Sequence, residues 1–398
     1  MVEVELATDE LDPFAPEHRA DPHPVWRRLR SEDPVHASPR GWLVTRYRDA
    51  TAVLRDHRFS ASPTHRRGGD LVPTGPRQPG TRLLVFLDPP DHTRLRGLVN
   101  KAFTPQVVRG LRPRVEALVG ELLDQVEPRG RMELLGDLAY PLPVAVICEL
   151  LGVPAADRRQ FRAWSAAAAR LLDGELPEDA LAQGVEAVAG FVAYFGELLG
   201  DRRRHPAGDL LSALVAAEEA GDRLTLEELQ ATVVLLFVAG HETTVNLIGN
   251  GVLALLRHPD QLRRLRADPG LGRLAVEELL RFDGPVTVTA RFATVASEVG
   301  GQPIAAGEEV VVSLAAANRD PEVFAEPDRL DLGRADNHHL AFSAGMHYCL
   351  GASLARLEGE VALRALLGRL PRLRLAGPEP RWRDHLVLRG LDSLELAF

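Results

Sequence analysis

The sequence predicts a mainly α-helical fold with small β-sheets, and three observations predict it. From Pro105 to Arg204 apolar residues recur at helical spacing, broken by punctuation such as Gly152-Val-Pro154. Thr225 to Arg257 reads as one long helix, opened by the capping-box pattern Thr225-Leu-Glu-Glu228 and closed by His258-Pro259. Strand-like patterns are short: Gly41 to Thr45, Val286 to Val295 and Glu309 to Leu314. With 398 residues, 45% hydrophobic and 26% charged, the chain has the composition of a soluble globular protein and ample length for a core. No linker, repeat or low-complexity tract divides it. One domain over 1–398 is expected, with a short N-terminal extension at 1–20.

Along the chain, Pro24 to Leu29 is a short helix and Gly41 to Thr45 a strand. Arg58 to Gly80 is rich in Gly, Pro and Arg, lacks periodicity and is expected to be a mobile loop. Asp88-Pro89-Pro90 starts a helix, with Asp88 placed to cap it and proline suited to its first turn. At about 1.5 Å per residue, Thr225 to Arg257 spans roughly 50 Å. Ala231 to Ala239 is apolar apart from Thr232, so this stretch is buried on most sides. It runs into Gly240-His-Glu-Thr-Thr244, a polar cluster inside a buried helix, and that conflict marks where function is to be sought. Beyond Asp283 the strands turn at Gly300-Gly301 and Ala306-Gly307. Asn318 to His339 is irregular, Gly351 to Leu370 is helical, and the tail from Arg381 alternates like a hairpin.

Composition excludes several functions. Asp+Glu 56 against Lys+Arg 47 gives a net charge of -9, which disfavours a nucleic-acid binder. The lone lysine, Lys101, follows Asn100, so no phosphate-binding loop of the Walker type exists, and it is a poor Schiff-base candidate. No strict G-x-G-x-x-G occurs. Two cysteines, Cys148 and Cys349, rule out a disulfide framework and fit a reducing compartment. The acidic N-terminus lacks a signal pattern, and the apolar run around Val233 to Ala239 falls far short of the ~18 residues of a membrane span. A cytoplasmic chain with no membrane partner is expected.

Four constellations remain. In Phe342-Ser-Ala-Gly-Met-His-Tyr-Cys-Leu-Gly351 a cysteine lies between two glycines just before a helix. Glycine permits the tight turn, and the helix N-terminus supplies amide donors and a positive dipole that stabilise a thiolate. Such a cysteine is built to ligate, whereas Cys148, within Val144-Ala-Val-Ile-Cys-Glu-Leu-Leu151, reads as a buried small hydrophobe. Glu278-Leu-Leu-Arg281 puts two opposite charges on one helix face, which alone is only a surface pair. Ala239-Gly-His-Glu-Thr-Thr244 begins like a zinc hydrolase motif, but Val245 stands where the second histidine would be. His92 and Arg96 are one turn apart and could bind carboxylates.

The cysteine segment resembles the haem-binding loop of the cytochrome P450 family, Phe-Gly-x-Gly-x-His-x-Cys-x-Gly. Phe342, Gly345, His347, Cys349 and Gly351 match it, and Ser343 replaces a usual glycine. The resemblance runs from about Pro24 to the C-terminus, with all motifs in family order. It implies the cytochrome P450 fold: a large helical domain with small β-sheets. It also implies haem b with Cys349 on the iron, where a thiolate pushes electron density toward O–O cleavage. His92, Arg96, Arg291 and His347 would bind the propionates, with Phe342, Gly351 and Ala239 also around the haem. Gly240 would leave room for dioxygen, and Glu242 and Thr243 would handle protons, Thr243 at the oxygen site and Glu242 toward solvent. Glu278, Arg281 and Arg329, the last in Pro327-Asp-Arg-Leu330, would lock the fold behind the haem.

The implied activity is insertion of one oxygen atom from dioxygen into a C–H bond or alkene. Electrons would come from a ferredoxin and its NAD(P)H-dependent reductase. Peroxide-driven peroxygenases of the family usually lose the acid–Thr pair that this chain keeps. A haem sensor without turnover is the reading from another class. Similarity around His92 to Arg96 and Ala239 to Ala254 is greatest to actinobacterial polyketide and macrolide hydroxylases. Terpenoids, steroids and fatty acids are the other candidate substrates. The pocket would be lined by Leu83, Leu84, Val85, Phe86, Leu235, Val238, Val286, Val288 and Val387, all apolar, which suits a bulky, weakly polar molecule. Arg94, Arg109, Arg112, Arg114 and Arg356 would form a basic patch for an acidic ferredoxin.

Overall fold

The computed structural model describes residues 11–67, 83–101, 103–174, 176–219 and 225–398. The first part carries α1 (His23–Glu32), β1 (Val35–Ser38), β2 (Gly41–Val44), α2 (Tyr47–Arg55), β3 (Phe59–Ser60) and α3 (Asp91–Asn100). A helical stretch follows: α4 (Pro105–Val126), β4 (Arg131–Glu133), α5 (Pro141–Leu151), α6 (Phe161–Arg170), α7 (Glu178–Arg204), α8 (Leu210–Glu219), α9 (Leu226–Arg257), α10 (Pro259–Ala267) and α11 (Gly272–Asp283). The remainder holds β5 (Val288–Ala293), β6 (Ser297–Val299), β7 (Gln302–Ile304), β8 (Glu309–Ser313), α12 (Leu314–Ala317), α13 (Ala352–Arg369), β9 (Arg374–Leu375) and β10 (Glu395–Ala397). Of the segment expected to be a mobile loop, Phe59–Ser60 is a strand and Pro63–His65 a 3-10 turn; 68–80 lie outside the described residues. The described end of the expected N-terminal extension is packed, with the Phe14 ring 5.5 Å from that of Trp26.

The sheets are small. β1-β2-β8-β5-β3 form one, with β2 and β8 parallel and the other pairs antiparallel; β4-β10-β9 form a second, and β6-β7 a hairpin. The expected C-terminal hairpin shrinks to a Trp382–Leu391 bridge, and the last strand pairs with β4 and β9 instead.

The long helix α9 is the axis of the fold. Its start is the capping box expected: Thr225 Oγ1 accepts from Glu228 N at 3.2 Å, and Glu228 Oε2 accepts from Thr225 N at 3.0 Å. By length and composition α9 could cross a membrane, but 72% of its most apolar window is buried by other elements of the chain. Asp88 does not cap α3. Two prolines separate it from Asp91, and its carboxylate instead accepts from Ser60 Oγ and from Ala61 N at 3.2 Å, tying the α3 approach to the end of β3.

Candidate active site

The cysteine segment folds into a loop whose turns depend on glycine conformations. Gly345 has φ +70°, and a side chain there would collide with the Leu54 carbonyl. Cys349 N donates to Phe342 O at 2.9 Å, closing the loop immediately before α13. The Cys349 thiol is exposed, and burial of its surroundings is the largest influence on its pKa, pushing it up. The Gly351 amide, Arg96, Arg356 and the Ala352 amide pull the other way. Ser343, at the family's glycine position, has φ +61° and a buried hydroxyl without a hydrogen-bond partner among the described residues. Ser343→Gly is therefore expected to stabilise the protein by ~1 kcal/mol, since a left-handed backbone costs a side chain about that much. A lowered thermal midpoint of the haem-loaded variant would count against this.

The carboxylate-binding candidates converge. His92 on α3 and His347 have ring centroids 4.4 Å apart, and Arg96, one turn beyond His92, donates to Tyr348 O. Arg291, buried on β5, donates to Ala290 O at 2.7 Å and Thr289 Oγ1 at 3.2 Å. Burial, with Arg291, His92 and Arg96, lowers His347 to about 3, and burial lowers Arg291 to about 10. The Nε2 atoms of His92 and His347 are buried without a partner among the described residues. The nearby carboxylate, Asp88, is already bonded to Ser60 and Ala61. This donor set fits an anionic group such as the paired carboxylates of haem. Gly351 fits too: apart from its own chain neighbours, no atom of the described residues lies within 4 Å of where its side chain would begin.

On α9, Ala239 is exposed and Leu235, Val238 and Thr243 are partly open, in the middle of a helix whose central part is mostly buried. Thr243 Oγ1 donates to Ala239 O at 3.1 Å, the usual arrangement of a mid-helix threonine, which leaves its oxygen free to accept. Gly240 differs from expectation. A side chain there would point at Ile147 Cδ1, 3.1 Å away, so this glycine lets α5 approach α9 rather than opening space for dioxygen. Glu242 is buried, 3.5 Å from His241 Nε2 and 3.3 Å from Arg383 Nη1. Burial pushes its carboxyl up, but His241, Arg383 and His385 outweigh that and hold it below the usual range.

The pocket expectation needs two corrections. Val288 is buried against Val25, Trp26 and Leu29, because strand alternation puts it on the face opposite Thr289 and Arg291. Leu84 is packed with Leu95 and Val99 in another apolar cluster. Leu83, Phe86, Leu235, Val238, Val286 and Val387 are half-buried, and Val85 is 40% exposed.

The third lock residue is also corrected. Arg281 forks onto Glu278, Nε to Oε2 and Nη2 to Oε1 both at 2.8 Å, with both side chains fully buried. The Arg329 side chain is exposed and pairs with Glu326; only its carbonyl meets Arg281, at 3.1 Å. Arg334 Nε reaches Glu278 Oε2 instead, at 3.1 Å, joined by Asn337 Nδ2. Arg334 lies five positions beyond Arg329 in this irregular stretch, and its side chain rather than that of Arg329 turns inward. The arginine patch is reduced as well. Arg94 pairs with Asp91 and Glu228, Arg112 with Glu360, Arg114 with Glu149 and Arg356 with Glu277, leaving Arg109 exposed.

The cytochrome P450 family model matches residues 193–268 and 272–376. Vitamin D(3) 25-hydroxylase of Pseudonocardia autotrophica is 45% identical over 399 residues, covering 98% of this chain and 97% of that one. Polyketide biosynthesis cytochrome P450 PksS of Bacillus subtilis is 39% identical over 402 residues, covering 97% and 98%. The chain belongs to the cytochrome P450 family. The solved structure of P450BioI with a hexadec-9Z-enoic acid-ligated acyl carrier protein superposes with a TM-score of 0.90 at 40% identity, covering 96% of this chain and 99% of that one. This cytochrome P450 is accordingly a monooxygenase, and its cofactor is the family's cysteine-ligated haem.

Proposed function

We propose that this cytochrome P450 hydroxylates a bulky apolar small molecule of the polyketide type, with Cys349 as the haem ligand. The observation that carries the site assignment is the convergence of His92, Arg96, Arg291 and His347 beside the Cys349 loop, with two buried imidazole nitrogens lacking partners among the described residues. When bound there, the haem supplies oxygen activation. The chain's own residues do the rest. His92, Arg96, Arg291 and His347 hold the propionates. Leu235, Val238, Val286 and Val387 present apolar surface to the substrate. Relatives named for vitamin D(3), for polyketide biosynthesis and for a fatty acyl carrier complex support a large, weakly polar substrate. Electrons arrive from a ferredoxin and its NAD(P)H-dependent reductase, docking where Arg109 and Tyr348 are exposed. A panel of a macrolactone, vitamin D(3) and hexadec-9Z-enoic acid, free and carrier-bound, tests the substrate class through the haem spin-state shift. Binding of the fatty acid alone would overturn the polyketide reading.

Thr243 and Glu242 carry the protons. They are consecutive on α9 and point about 100° apart, so they do different jobs. Thr243 organises the water at the oxygen site, and Glu242 leads through Arg383 toward solvent. Thr243→Ala should keep folding, haem content and substrate affinity while product formed per NAD(P)H falls on the order of tenfold or more, with peroxide released instead. Unchanged coupling would mean the hydroxyl serves only the Ala239 carbonyl.

A further inference from the structure

The loop from Arg383 to Gly390 touches two distant parts of the molecule. It hangs on the segment between α11 and β5 through Thr287 N to Val387 O at 3.0 Å and Arg389 N to Pro285 O at 2.8 Å. At one edge, Arg383 N donates to Gly390 O at 2.9 Å, and its guanidinium lies 3.3 Å from Glu242 on α9. At the other, Asp173 grips the loop. This residue ends the turn Leu171–Asp173 that follows α6. Its Oδ1 accepts from Leu386 N and Val387 N, both at 3.0 Å, and its Oδ2 is 2.9 Å from His385 Nδ1. The Asp173 and His385 side chains are 5% and 9% exposed. A buried carboxylate taking two consecutive amides is a rigid, charge-assisted clamp.

We propose that Asp173 is a positioning residue for proton delivery, clamping the loop that carries Val387 on the pocket wall and Arg383 against Glu242. A substrate pressing on Val387 and a proton leaving or entering Glu242 then act on one mechanical unit. Substrate occupancy and the proton route are coupled through it. The inference rests on the readings of Glu242 as the route to solvent and of Val387 as part of the pocket lining. It adds that a residue more than sixty positions earlier in the chain sets the geometry of that route.

The test uses the full-length, haem-loaded enzyme, with the tightest-binding member of the substrate panel. Amide hydrogen exchange at Leu386 and Val387 reads the clamp, and product per NAD(P)H reads proton delivery. Asp173→Ala should keep haem content, speed exchange at both amides and lower product per NAD(P)H severalfold. Asp173→Asn keeps an acceptor oxygen for the two amides and should restore both readouts. Glu242→Gln changes no atom of the turn or the loop, yet should speed exchange at Leu386 and Val387 about fivefold or more, because coupling between sites is reciprocal. Unchanged exchange in Glu242→Gln overturns the proposal, as does normal coupling in Asp173→Ala. If instead Glu242→Gln leaves product per NAD(P)H untouched, the proton-route reading itself fails, and the exchange data show whether the mechanical link survives without it.

Discussion

Cys349→Ser is expected to give folded protein that has lost the strongly red-shifted Soret band of the reduced carbonyl complex, and with it all turnover. Serine preserves the size of the side chain, the Cys349 N to Phe342 O bond and the approach of the Gly351 and Ala352 amides, so the loop has no reason to unfold. What disappears is the sulfur, the soft, electron-rich donor that distinguishes this ligation from an imidazole or an alcohol. The second cysteine is the internal control. Cys148 is fully buried on α5, where burial pushes its thiol up to about 12, so it is neither ionised nor placed to reach the site. Cys148→Ala should keep the band unchanged. The band surviving in Cys349→Ser, or vanishing from folded Cys148→Ala, would mean the ligand had been misassigned.

What was legible in the sequence was whatever is local. The capping box of Thr225 and Glu228, the end of α5 at Gly152 and the turn into α13 depend on neighbours within four residues, and each formed as read. The cysteine loop was legible for the same reason, its glycines and cysteine falling within seven positions. Long-range geometry was not. Nothing near Glu242 in the chain announces Arg383, 141 residues later, and nothing near Asp173 announces the amides of Leu386 and Val387. The pocket failed at Val288 because an apolar residue reads the same on either face of a strand, and only the partner helix α1 decides. Gly240 failed because room beside a glycine can be filled by another helix, here through Ile147.

The arginine lock gives a direct contest between motif spacing and geometry. Glu278 is fully buried and accepts from Arg281 twice, from Arg334, from Asn337 and from the Asp331 amide at 2.9 Å. Arg281 spends its remaining donors on the carbonyls of Asn318, Pro327 and Arg329. Together they pin the irregular stretch after α12 to α11, which in turn packs against α13 behind the cysteine loop. Glu278→Gln keeps the shape but removes the charge, stranding a buried guanidinium. Breaking one partner of such a pair costs about 3–5 kcal/mol, enough to consume much of a typical folding free energy. Protein purified from this variant should therefore hold little haem and melt far below the parent. Arg334→Ala should lose a smaller part of that stability, because Arg281 still neutralises Glu278. Arg329→Ala should be nearly silent, within ~0.5 kcal/mol, since its side chain faces solvent beside Glu326. Thermal unfolding and haem content per chain decide the matter. If Arg329→Ala loses haem and Arg334→Ala does not, the spacing of the motif was the better guide and the inward turn of Arg334 carries none of the load.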